Sequence, residues 1–186
     1  MVSVAQLWLP ILLSAVFVFF ASSVINMLLK FWHVPDYRGF SNEEEVGAAI
    51  RKGSASAGMY VIPFCPPDAL KKPETQEKFK QGPVGTIFLR QPGAMSMGAS
   101  LGQWFLFCLF VSFSCACIAA PVLAAAAPYR FVFHTIAVAA FMAYAVGTLP
   151  NAIWWGHRWR SVLKYVLDGL IYALITAAVF SWLWPH

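Results

Sequence analysis

The sequence predicts an all-α membrane protein: four transmembrane helices with a small mixed α/β cytoplasmic insert between helices 1 and 2. Three observations predict it. The first is composition: 60% of the 186 residues are hydrophobic and 11% charged, where an ordinary soluble domain has roughly 45–50% and about 25%. One core of this size cannot hide that much apolar surface, so a compact water-soluble domain is excluded. The second is the presence of four stretches that reach the roughly 20 residues a helix needs to cross a hydrocarbon core: Leu7 to Leu29, Gly102 to Ala124, Phe131 to Leu149 and Val162 to Leu183. The third is that most ionisable residues gather in one polar block, Phe31 to Leu101. The chain therefore divides into helix 1 (1–30), the insert (31–101) and helices 2–4 (102–186).

Helix 1 reads as a retained span. Its apolar run is too long for a signal peptide, no basic segment precedes it, and no A-x-A pattern follows it. Lys30 closes it as a snorkelling end. Orientation follows from the cations, which accumulate in cytoplasmic loops. Nine of the thirteen lie in or beside the insert (Lys30, Arg38, Arg51, Lys52, Lys71, Lys72, Lys78, Lys80, Arg90), and Arg158, Arg160 and Lys164 flank the connection between the third and fourth spans. Four spans put those two loops on one side. Both termini are expected to be periplasmic and residues 31–101 cytoplasmic. The net charge of +5 thus reports topology. Seven acids (Asp36, Glu43, Glu44, Glu45, Asp68, Glu74, Glu77) leave the insert near neutral, which argues against a nucleic-acid partner.

Within the insert, Ser41 and Glu44 have the spacing of a capping box, and Val46, Ala49 and Ile50 form one stripe, predicting a helix over Asn42 to Lys52 stopped by Gly53. Met59 to Phe64 and Thr86 to Leu89 read as short strands. Lys71 to Lys80 reads as a second helix, with Pro73 in its first turn and Gly82 at its end. Roughly 65 residues so rich in Pro and Gly are marginal alone, so the insert is expected to fold against the helices or a partner.

The run Trp32-His33-Val34-Pro35-Asp36-Tyr37, the acidic run Glu43-Glu44-Glu45-Val46 and the ending from Asp168-Gly169-Leu170-Ile171-Tyr172-Ala173-Leu174 through Phe180-Ser181-Trp182-Leu183-Trp184-Pro185 together resemble a family of small bacterial inner-membrane proteins without assigned function. The resemblance implies a bacterial source, an inner-membrane location and a four-span plan. It carries over no active residue.

Among polar residues, Asp168 is the most informative. A carboxylate inside a spanning helix costs on the order of 2.5–3.5 kcal/mol and normally finds a partner; Lys164, His157, Asn26 or an insert residue are the candidates. Tyr165, Asp168, Tyr172 and Thr176 form one polar stripe, which reads either as a proton or substrate site or as packing glue. Gly169, Ala173 and Ala177 form a neighbouring small-residue stripe, and Ala139, Ala143 and Gly147 repeat that spacing on the third span, so helices 3 and 4 are expected to pack closely. Trp154, Trp155, Arg158, Trp159 and Arg160 mix indoles with cations and read as a lipid-interface anchor.

Of four histidines, His33 and His157 share a depth and could serve as a bis-His haem pair, a weak cofactor reading; His134 and His186 stand apart. Cys115 and Cys117 project about 200° apart on a helix and cannot grip one ion, while Cys108 and Cys115 share a face. These thiols read as apolar fillers, and Pro121 as a bend. No phosphate loop, zinc-protease motif, nucleophile elbow or catalytic carboxylate pair is present, and no internal repeat. Three functions stay open: a non-catalytic accessory or scaffold subunit of a larger membrane complex, a small transporter or proton-linked channel using Asp168, and a haem-binding electron-transfer subunit. The partners expected are the lipid bilayer and other membrane subunits or a second copy.

Overall fold

The computed structural model describes residues 2–94 and 96–185. In chain order its regular elements are α1 (Trp8–Ser23), α2 (Lys30–His33), α3 (Glu43–Lys52), β1 (Gly58–Ile62), α4 (Pro73–Gln81), β2 (Gly85–Leu89), α5 (Met97–Ala119), α6 (Tyr129–Tyr144), α7 (Leu149–Trp154) and α8 (Trp159–Trp182). Contacts divide the chain into two units. One comprises Met1–Tyr37, Ser96–Ala152 and His157–His186, the other Arg38–Met95 with Ile153–Gly156.

Among the described residues, four helical stretches are long and apolar enough to cross a membrane: Val4–Leu28, Met97–Ala119, Tyr129–Trp154 and Trp159–Trp182. The first opens on a 3₁₀ turn capped reciprocally by Ser3 and Gln6 and closes on a π-helical turn, Val24–Leu28. Leu29 then leaves helical geometry, and the chain re-enters helix as α2, followed by a 3₁₀ turn, Val34–Asp36, with Pro35 inside it. Residues 31–37, expected to begin the insert, therefore pack with the helical unit. The second stretch lies five residues earlier than expected. Ser96 caps it by accepting the Ala99 N–H at 3.4 Å, and it ends before Pro121, which terminates the helix instead of bending it. In the third, α6 breaks at Ala145 into a 3₁₀ turn before α7.

The four long helices pack in the cyclic order α1, α5, α6, α8. Their buried stripes follow helical spacing: Leu7, Ile11, Ala15 and Val18; Cys108, Val111, Cys115 and Ala119; Val132, Ile136, Ala140 and Tyr144; Tyr172, Ala173, Ala177 and Phe180. Small residues let the backbones approach, and a buried Ser14–Ser112 hydroxyl pair at 2.9 Å ties α1 to α5. Helix α8 approaches the end of α6 closely at Gly169. A Cβ on Gly169 would stand 2.8 Å from Ala145 Cβ and 2.9 Å from the Tyr144 carbonyl carbon. Gly169, Ala173 and Ala177 are all buried. The matching stripe on α6 is displaced by one position: Ala140 and Tyr144 face the core, while Ala139 is half-buried and Ala143 and Gly147 are exposed. Alanine is so frequent here that several faces carry the small spacing, and Gly169 seats against Tyr144 and Ala145.

The second unit pairs β1 with β2 antiparallel, with Met59 opposite Phe88 and Val61 opposite Thr86. Helix α3 has three glutamates in its first turn and Arg51 and Lys52 in its last, matching the helix dipole. The Ser41–Glu44 capping box does not form. Asn42 occupies the N-cap position without a side-chain cap, its amide instead donating to Glu45 Oε2 at 3.0 Å. Helix α4 starts on Pro73 and ends at Gly82, whose φ of 64° favours glycine. No described residue of Arg38–Met95 is buried.

Candidate functional site

The polar stripe of α8 faces the bundle: Asp168, Tyr172 and Thr176 are buried and Tyr165 is half-buried. Thr176 spends its hydroxyl on the Tyr172 carbonyl at 2.8 Å, a local bond within the helix. Asp168 is different, because both its oxygens are engaged from α2. Trp32 Nε1 donates to Oδ1 at 2.9 Å, and His33 Nε2 lies 2.6 Å from Oδ2. Of the partners foreseen for this carboxylate, the two found, Trp32 and His33, both come from residues 31–101.

One turn away on each element a second pair forms. Lys164 Nζ donates to Asp36 Oδ1 and Oδ2 at 2.9 and 3.0 Å and also to the Trp32 carbonyl. The Lys164 hydrogen bond holds the Asp36 carboxyl below the usual carboxylate range, against the opposing pull of burial. The His33 ring stacks on Tyr165 with centroids 4.8 Å apart, and the Tyr37 and Tyr165 hydroxyls are 3.4 Å apart. His33 Nδ1 is buried 3.8 Å from Asp36 Oδ2 and has no hydrogen-bond partner among the described residues. The two runs Trp32–Tyr37 and Asp168–Tyr172, far apart in sequence, thus meet at one end of the helical unit.

Beside this network lies a cavity of about 630 Å³. Asp168, Tyr165 and Tyr172 line it from α8, Trp104 and Phe107 from α5, Tyr144 and Ala143 from α6, and Ser22 and Ser23 from α1. Trp104 is held by donating to Ser22 Oγ at 2.7 Å. Its wall is mostly apolar, with Asp168 the one formally charged residue among those lining it.

Trp154, Trp155, Arg158, Trp159 and Arg160 are exposed, as are His134 and His157; His186 lies outside the described residues. Of the two histidines read as a bis-imidazole haem pair, His33 is buried with Nε2 on Asp168 and His157 is exposed. No group of three or more His, Cys, Asp or Glu able to hold a metal forms among the described residues. Cys108 and Cys115 are buried and Cys117 exposed, as their angular spacing requires; all four thiols are free. Asp36 was missed as a site residue. The signal lay in the spacing, since His33 and Asp36 are three apart and Lys164 and Asp168 four apart, so the short helical segment 30–36 and the long helix α8 can present matched groups turn for turn.

No protein-family model, curated protein or solved structure matches this chain. Its function is read from the geometry above.

Proposed function

We propose that this chain is a multi-pass protein of the bacterial inner membrane, with both termini periplasmic and the insert cytoplasmic, serving as a non-catalytic accessory or scaffold subunit of a larger membrane complex. The carrying observation is the unit Arg38–Met95, which has no buried residue among those described and exposes Phe64 at 82%, Val84 at 60% and Phe88 at 57%. A segment without a core, carrying apolar side chains on its surface, is suited to being covered by something else. Embedding is supported by the outer faces of the long helices, where Phe20, Leu106, Phe110 and Met142 are exposed. The cation distribution supports the orientation.

Native mass spectrometry after mild-detergent extraction tests this reading. A stoichiometric partner subunit is expected, lost when Phe64→Ser and Phe88→Ser are combined; a monomer or homo-oligomer in both chains sinks it. A phosphatase fused after the last residue is expected to be active and one inserted within Gly53 to Gly58 silent. The reverse pattern overturns the orientation.

A second reading, a small transporter or proton-linked channel, is favoured by a specific observation: Asp168, Tyr165 and Tyr172 line one cavity. Asp168→Asn is then expected to abolish proton flux in proteoliposomes while the protein still folds. Flux equal to wild type, or none in wild type, rejects it.

A further inference from the structure

We propose that the cavity beside Asp168 is a binding site for a lipophilic organic monocation, of the quaternary-ammonium or phosphonium class. Its volume of about 630 Å³ falls within the range of small-molecule sites, and a mostly apolar wall with one polar end is their usual construction. Four aromatic rings on this wall close a cycle. Trp104 and Phe107 have centroids 5.4 Å apart, Phe107 and Tyr144 5.9 Å, Tyr144 and Tyr172 5.7 Å, and Tyr172 and Trp104 6.1 Å. Tyr165 adds a fifth ring beside the carboxylate. Aromatic faces attract cations through the ring quadrupole, most strongly where water is excluded.

Charge selects the sign of the ligand. Asp168 is 3% exposed and is the only formally charged residue among the described residues lining the cavity. Lys164 is committed to Asp36 and the Trp32 carbonyl. The formal charge that this wall presents to a ligand is therefore that of the Asp168 carboxylate. The wall chemistry selects an organic ion. A hard metal cation needs six or more oxygen ligands, several of them carboxylates, and Asp168 is the one carboxylate among the described residues of this wall. The proposal shares its cavity with the transporter reading and rests on that reading only in this respect, since binding does not require movement.

Calorimetric titration of the purified full chain in detergent, with tetraphenylphosphonium and with the similarly shaped anion tetraphenylborate, tests it. Saturable one-to-one binding of the phosphonium alone is expected. Asp168→Asn should weaken it about tenfold or more. Because that variant disturbs the network with Trp32 and His33, Phe107→Leu serves as the second: it removes a ring outside the network and should weaken binding about two- to fivefold, the reach of one cation–π contact. Equal binding of both ions, no saturable phosphonium binding, or wild-type affinity in Phe107→Leu overturns the site. Phosphonium binding by a chain whose proteoliposomes move no protons upholds the site and rejects the transporter reading. Proton flux without phosphonium binding does the opposite.

Discussion

His33 Nε2 lies 2.6 Å from Asp168 Oδ2, a contact that spans 135 positions of sequence. Both side chains are more than nine-tenths buried, and Asp168 is completed by Trp32 Nε1 on its other oxygen. The carboxylate thereby acts as a clasp between α2 and α8. Its loss would leave the half-buried Trp32 N–H and the buried His33 Nε2 without this partner, so the pair holds the break at Leu29 against the helical unit.

Asp168→Ala and His33→Ala are each expected to lower stability by about 1–3 kcal/mol, the cost of leaving a buried polar group unpaired. Combined, they should cost less than the sum, with a coupling of about 0.5–3 kcal/mol for residues in one network. Thermal unfolding in detergent measures all three variants. Strict additivity would dismiss the clasp.

Asp36 predicts a pH dependence. Its carboxyl lies below the usual range because Lys164 hydrogen-bonds it. A depressed carboxylate contributes stability fully above its unfolded value, near 3.9, and that contribution is lost as pH falls through the lower folded value. Wild-type Tm should fall on acidification below about pH 4, and Asp36→Asn should show a shallower acid limb. Identical limbs in the two proteins contradict this.

Two glycines make opposite forecasts. At Gly169 an added Cβ meets α6 backbone and Ala145 at 2.8–2.9 Å, whereas at Gly147 it meets nothing within 4 Å. Gly169→Ala is expected to destabilise by about 1–3 kcal/mol through overpacking, despite alanine's better helix propensity. Gly147→Ala should be neutral or mildly stabilising. A Tm for Gly169→Ala at or above wild type rules out the close approach.

Thiol accessibility reads the rotation of α5. Cys117 is exposed, Cys108 and Cys115 are buried and Cys65 is half-buried. A membrane-permeant maleimide should modify Cys117 and Cys65 well ahead of the other two, as followed by mass spectrometry of single-cysteine variants. Faster modification of Cys108 than Cys117 would mean the helix is turned the other way.

Several of these features were legible in the residues themselves. The four long apolar helices, the short helices α3 and α4 and both strands follow from runs, caps and breakers within a few residues of each element, and observed ends differ by one turn or so. That Asp168 must have a partner follows from the cost of a bare carboxylate in an apolar helix. Which partner it takes does not. The break at Leu29 carries no Gly or Pro to announce it, so α2 read as the start of a polar loop. The buried face of α6 was missed by one position because its alanines place small residues on several faces.

Taken alone, then, the amino-acid sequence determined how many apolar helices there are and where each runs, because burial preference and helix propensity are properties of neighbouring residues. Tertiary structure alone decided that His33 and Trp32 reach Asp168, that Asp36 reaches Lys164, and that five aromatic rings line one cavity. Those outcomes depend on the rotation and depth of helices joined through more than a hundred intervening residues. Only mutual packing sets these quantities, and at Gly169 it does so at a resolution of a few tenths of an ångström.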